Sequence, residues 1–145
     1  KGTVWSIGSD HVPFFAKKGE DLWDELPGIV TFPWETALLL HNGVHKRGLA
    51  LTELVRMNSF APAKRFGLYP DKGSLEVGTD ADLVIVDLDE EREVVHDGHG
   101  TCIYEGMKLK GWPVTTISRG RVVFEDGEVD EDAFGRGLCL TRPDA

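Results

Sequence analysis

An acid and a histidine stand side by side in "IGSDHVPF", residues 7–14, straight after the short apolar run "TVWSI". A carboxylate just past the C-terminal end of a buried strand is where barrel enzymes carry groups that ligate metals and move protons. An Asp at a strand end also serves as an ordinary turn or helix cap, so both readings of Asp10 stay open. Neighbouring residues of an extended chain point to opposite faces. Asp10 and His11 therefore do not readily serve one metal together, and one of them would work in a site while the other supports it. His41 and His45 have the i, i+4 spacing that can clamp a metal on one helix face. No Glu accompanies them as in HExxH, and Gly43 weakens the helix between them, so two surface histidines near a helix end fit better. His96 and His99, in "HDGHG", could take a metal or simply sit in a polar loop. No Ser lies in a GxSxG, the glycines fit neither GxGxxG nor the P-loop, and neither Cys has a base at an interpretable position. The residues alone reach as far as a one-acid site on a strand end.

The elements that must position these groups follow from periodicity. "TVWSI", ending at Gly8, reads as a buried strand. Residues 11–33 form a long irregular segment broken by Pro13, Gly19, Pro27, Gly28 and Pro33, and its aromatics predict a packed loop. A helical block spans residues 34–67: Trp34 to about His45, then "ELVRMNS" with Thr52 as N-cap, then a short helix opened by Pro62 and closed by Gly67 in the left-handed C′ position. "GSLEVGTDADLVIVDLD" reads as a strand, a turn at Gly78 and a second strand apolar on both faces. "VTTISRGRVVFEDGEV" reads as two strands meeting at Gly120, closed by the Asp126–Gly127 turn. The texture changes near residues 68–75, where a boundary is expected.

Bulk properties narrow the class. The chain has 145 residues, 41% hydrophobic and 28% charged, enough for one ordinary domain with a real core. No apolar run approaches the ~20 residues of a membrane helix, so no membrane partner is expected. Net charge is −9, with ten acids between residues 71 and 99 and six between 125 and 132. Such a surface repels phosphate backbones, which argues against nucleic acid as a partner. Cys102 and Cys139 are unclustered and suit a reducing cytoplasm, although one bridge between them stays open. The opening "KGTVWSIG" has neither initiator Met nor signal-peptide layout and reads as a chain begun mid-protein.

"GSDHVPF", then "LPG", then "NSFAPAKRFGLYPDKGSLEVGTDADLVIVD", then "YEGMKLKGWPVTTISRGRVVFEDGE" resemble, in this order, the C-terminal part of a cyclic amidohydrolase. The resemblance covers nearly the whole chain and is closest to the hydantoinase/dihydropyrimidinase branch, with allantoinase and dihydroorotase as cousins. It implies an α/β fold: the last strand (residues 4–8) and closing helices of a (β/α)8 TIM-like barrel in residues 1–70, followed by the C-terminal strands of a small β-sandwich and a tail in residues 71–145. Implied too are two divalent metals, zinc, a small cyclic amide as substrate, and a homo-oligomer. Asp10 matches the family's strand-8 aspartate, metal ligand and general base, with His11 as support. Asp24 and Glu25 fall where this branch often reads "NGLPG", a substrate-binding loop. Phe14 stands where a dihydroorotase would carry a carboxylate-gripping His, which disfavours that activity. The family's early HxH pair, bridging Lys and mid-barrel histidines are not among these residues. This chain by itself is therefore expected to be inactive and to need the remainder of the barrel. A non-catalytic dihydropyrimidinase-like scaffolding protein is the alternative.

Overall fold

The structure is a computed structural model that describes residues 2–12, 28–96, 98 and 100–133. The chain forms helices and one antiparallel-paired sheet, organised as two compact units. One unit comprises Gly8–Arg47 and Leu88–Trp112, the other Lys1–Ile7, Gly48–Asp87 and Pro113–Ala145.

In the first of these units a helical run starts with a 3-10 turn at Phe32–Trp34, continues as α1 (Glu35–Leu39) and widens into a π-helical turn at Leu40–His45. The widening shows in the Lys46 N–H, which donates to the His41 carbonyl five residues back. Gly43, the weak point of the sequence pattern, lies inside that turn. The run buries Trp34, Ala37 and Leu40. Trp34 and Ala37 join Val30, Val94, Leu109 and Trp112 in one apolar cluster, with Leu38, Cys102 and Tyr104 packed around it. Trp34 meets Tyr104 edge-on at 6.5 Å, and Trp112 satisfies its indole N–H on the Leu109 carbonyl at 2.9 Å, as a buried Trp must.

In the other unit α2 (Leu51–Val55), a π-helical turn at Arg56–Phe60 and α3 (Ala61–Arg65) follow one another without a break. Pro62 stands in the first turn of the short helix α3, as its sequence position suggested, but that helix continues directly from the π turn. A proline inside a helix lacks an N–H and crowds the carbonyl four residues back. The π turn just before it, where Ala61 N–H reaches the Arg56 carbonyl, gives the chain the extra room. Thr52, by contrast, is not the N-cap of α2. Ala50 is, and its carbonyl accepts from Glu53 N–H at 2.9 Å and Leu54 N–H at 3.1 Å. The register follows burial of Leu54, Met57 and Ala61, which outweighs cap preference. The helix end matches expectation. Gly67 is left-handed (φ +70), its N–H donates to Lys64 and Leu68 N–H donates to Ala63, a complete Schellman closure.

The sheet has the order β1 (Leu83–Glu93), β2 (Lys108–Ser118), β3 (Arg121–Glu125), β4 (Glu128–Val129). Two-residue turns join the last three. Arg119–Gly120 and Asp126–Gly127 all have positive φ, the type I′ geometry whose twist suits a hairpin. Pairing of Ser118 with Arg121 and Ile117 with Val122 then slips by one residue, so that Thr116 faces Phe124.

Two strand expectations fail, each for a stated reason, and a third is met in part. "TVWSI" joins no ladder: Val4 and Trp5 are 54% and 56% exposed, and their carbonyls accept from the Arg56 guanidinium at 3.1 and 3.3 Å. A strand needs a neighbour, and the described residues supply none for it. Residues 74–79 form a turn in place of a first strand, because side chains take the backbone partners a ladder would use. The Ser74 hydroxyl accepts from Glu76 N–H at 3.1 Å, and the Thr79 hydroxyl donates to the Glu76 carbonyl at 2.8 Å. β1 does form over "LVIV", yet Val84 and Ile85, on opposite faces, are both more than half exposed.

Gly73 has φ +74, and a Cβ there would lie 2.7 Å from Ala63 Cβ and 2.9 Å from the Ser59 carbonyl oxygen. Gly106 is also left-handed (φ +77) but faces open space. Gly106→Ala is expected to cost the ~1–2 kcal/mol of a left-handed Cβ. Gly73→Ala adds overpacking of about 1–3 kcal/mol. Thermal or denaturant unfolding of the two variants should rank them in that order.

Candidate active site

Asp10 lies in the unit formed by Gly8–Arg47 and Leu88–Trp112, with an exposed side chain. Its backbone is left-handed, φ +48, a conformation that Asp tolerates better than most residues. The alternation expected of an extended Asp10–His11 pair therefore does not apply. The chain turns at Asp10 itself.

The residues that follow are held closely. His11 N–H donates to the Ser9 hydroxyl at 3.3 Å, and Val12 N–H to the Ile29 carbonyl at 3.2 Å. The His11 Nδ1 accepts two backbone N–H groups, from Thr31 and Phe32, each at 3.1 Å. Its ring lies tilted against Phe32 with centroids 5.8 Å apart. Gly28 makes this possible, since a Cβ there would sit 2.4 Å from Val12 Cγ1. His11 is thus support for the segment that carries Asp10. The two peptide N–H donors it uses carry no side-chain signature, so only "PG" at Pro27–Gly28 could have hinted at the close approach. Asp24, Glu25, Phe14, His99 and Cys139 lie outside the described residues.

His41 and His45 form no metal clamp. Both face β2: His41 Nδ1 accepts the Lys110 N–H at 3.0 Å, and His45 Nε2 lies 3.5 Å from where a Gly111 Cβ would be. They dock the helical run onto the strand. His96 likewise serves the fold, its Nε2 bonded to the Gly100 carbonyl at 3.0 Å and its ring edge-on to Trp34. Cys102 is a half-buried free thiol.

Among the described residues no three His, Cys, Asp or Glu side chains gather as a metal site would need. Asp10 offers one hard oxygen donor, suitable for zinc, whereas a tetrahedral zinc site takes about four ligands. These residues do not build a metal centre by themselves. No helix among them is long and apolar enough to cross a membrane.

Helices together with an antiparallel sheet make the described residues an α/β fragment. The family is settled by comparison: residues 1–123 match the amidohydrolase family, and the chain belongs to it. It is 40% identical over 144 residues to an L-hydantoinase of Paenarthrobacter aurescens, covering 93% of this chain and 31% of that protein. It is 36% identical to the dihydropyrimidinase of Rattus norvegicus, covering 97% of this chain and 28% of the enzyme. A D-hydantoinase crystal structure superposes with a TM-score of 0.82 at 33% identity, over 89% of this chain and 30% of that one. The chain thus spans about a third of the length of the relatives it matches.

Burial first, then the charges of Lys46 and His45, hold the His41 pKa below its ordinary 6.5, while Glu91 opposes them. The folded chain therefore binds fewer protons here than the unfolded chain does. Stability should fall as pH drops below about 6.5 and level off once the folded-state pKa is passed. His41→Asn, which keeps an acceptor for Lys110 N–H without titrating, should flatten that part of a plot of melting temperature against pH.

Proposed function

We propose that the whole protein carrying these residues is a hydrolase that opens cyclic amides, hydantoin- or dihydropyrimidine-like rings, and that Asp10 is its proton-transferring carboxylate. The observation that carries this reading is the built turn at Asp10: an exposed carboxylate on a left-handed residue, with the chain just beyond it tied down through His11 and Val12. Membership of the amidohydrolase family and similarity to a hydantoinase and a dihydropyrimidinase support it. On this reading residues 1–70 belong to a (β/α)8 barrel and residues 71–145 to a β-sandwich. Asp24 and Glu25 line the substrate loop, and the protein is a homo-oligomer.

Two divalent metals, zinc, held by Asp10 together with residues from the remainder of the barrel, would supply Lewis acidity and a water of near-neutral pKa. Asp10 accepts the proton of the attacking water as the new C–O bond forms at the ring carbonyl. It then delivers that proton to the ring nitrogen as the C–N bond breaks. Atoms balance: one water is consumed, leaving a carboxylic acid and an N–H on one open chain. A carboxylate is the right group because it cycles between base and acid without leaving its place. One carboxylate without its partner ligands does no such chemistry, so the 145-residue chain alone is inactive.

The test is ring opening of hydantoin and dihydrouracil by the whole protein, followed by loss of absorbance and product analysis. Asp10→Asn should lower kcat by about 10²–10⁴-fold, the range of general acid–base catalysis. Unchanged turnover in that variant would refute the role of Asp10. A wild-type protein inert on every such ring would leave the non-catalytic scaffolding reading.

A further inference from the structure

The start of the helical run has a problem that its own residues do not solve. The first N–H groups of a helix lack intrahelical acceptors and are ordinarily capped by the side chain of the N-cap residue. Here the N-cap is Thr31 (φ −122, ψ −37), and its side chain makes no capping hydrogen bond. The N–H groups of Thr31 and Phe32 go instead to His11 Nδ1, twenty and twenty-one residues earlier in the chain. A neutral imidazole nitrogen can accept only when it carries no proton. Two inbound N–H donors thus fix the tautomer with the proton on Nε2.

This cap is the firmest hold on the residue next to Asp10. On the near side Ser9 takes the His11 N–H; on the far side Val12 is pinned between the Ile29 carbonyl and Gly28. Thr31 and Phe32 lead directly into Trp34, 8% exposed in the apolar cluster, so the segment they anchor is tied to a core. Asp10 itself occupies a left-handed turn that costs energy and persists only when its surroundings over-determine it.

We propose that His11 is a positioning residue: by capping Thr31 and Phe32 from a distance, its imidazole fixes the backbone that presents the Asp10 carboxylate. This rests on the cyclic-amide reading for its catalytic consequence, and on the hydrogen bonds alone for the cap. His11 touches no substrate in this role. It acts through geometry, and a displacement of about 1 Å in a reacting group can cost 10²-fold in rate.

The experiment uses the full-length protein and three variants. His11→Asn keeps an acceptor where Nδ1 stands, His11→Gln moves it one carbon further out, and His11→Ala removes it. Amide hydrogen exchange at Thr31 and Phe32 is read beside kcat and KM on dihydrouracil. The expected result for Ala and Gln is faster exchange at both amides and a kcat lower by about 10- to 10²-fold, with KM nearly unchanged. Asn should restore both. If the Ala variant fails to fold, the Asn–Gln pair decides. Wild-type protection at Thr31 and Phe32 in the Ala or Gln variant overturns the cap. Lost protection with full kcat, or a loss carried by KM alone, overturns positioning. A wild-type protein that opens no ring overturns the cyclic-amide reading, and with it the catalytic role of His11, while exchange still decides the cap.

Discussion

Gly111 is the point on which one of the two units turns. It sits inside β2 with φ +93, and a Cβ there would fall 2.9 Å from Leu40 Cβ, so only glycine lets the helical run come so near the strand. That approach brings His41 within reach of the Lys110 N–H and seals Leu40 to 2% exposure. Next to it Trp34, Val94, Leu109 and Trp112 bury one another, and burial of such side chains contributes about 1.5–3 kcal/mol each. From the far end of the same helical run, Thr31 and Phe32 hold His11, and His11 adjoins Asp10.

In the other unit several large apolar side chains lie open to solvent. Phe66, Val77, Val84 and Val129 are all more than half exposed. Monomeric proteins seldom show contiguous apolar surface beyond a few hundred Å². Among the described residues, the segment that reads most like a buried strand, residues 4–8, is met by the Arg56 guanidinium on the Val4 and Trp5 carbonyls and by Met57, whose carbonyl accepts from Ile7 N–H at 3.2 Å. Arg56 in turn is held in a two-pronged pair with Glu53, at 2.8 and 2.9 Å. These contacts substitute for a ladder without satisfying it.

What was legible in the sequence is what local physics decides. Gly67 as a left-handed C′ residue and Asp126–Gly127 as a hairpin turn need no distant partner, and both formed as read. The helical block was visible in its apolar spacing, whereas its two π turns were not, because they answer to Pro62 and to the packing around Gly43. The strand over "GSLEV" failed because Ser74 and Thr79 offered the backbone a local alternative. "TVWSI" failed for the opposite reason, since the described residues offer it no strand to pair with. At the site, Asp10 could be singled out by type and position. The capping role of His11 could not, because the groups it meets are peptide N–H groups that every residue but proline possesses.

Everything turns on whether residues 4–8 complete a barrel strand that delivers Asp10 to its place. Hydrogen exchange at the Val4, Trp5 and Ser6 amides in the whole protein reads this directly. Slow exchange at all three amides, as in a strand paired on both sides, is the predicted result. Amides that exchange as fast as those of an open chain would contradict it.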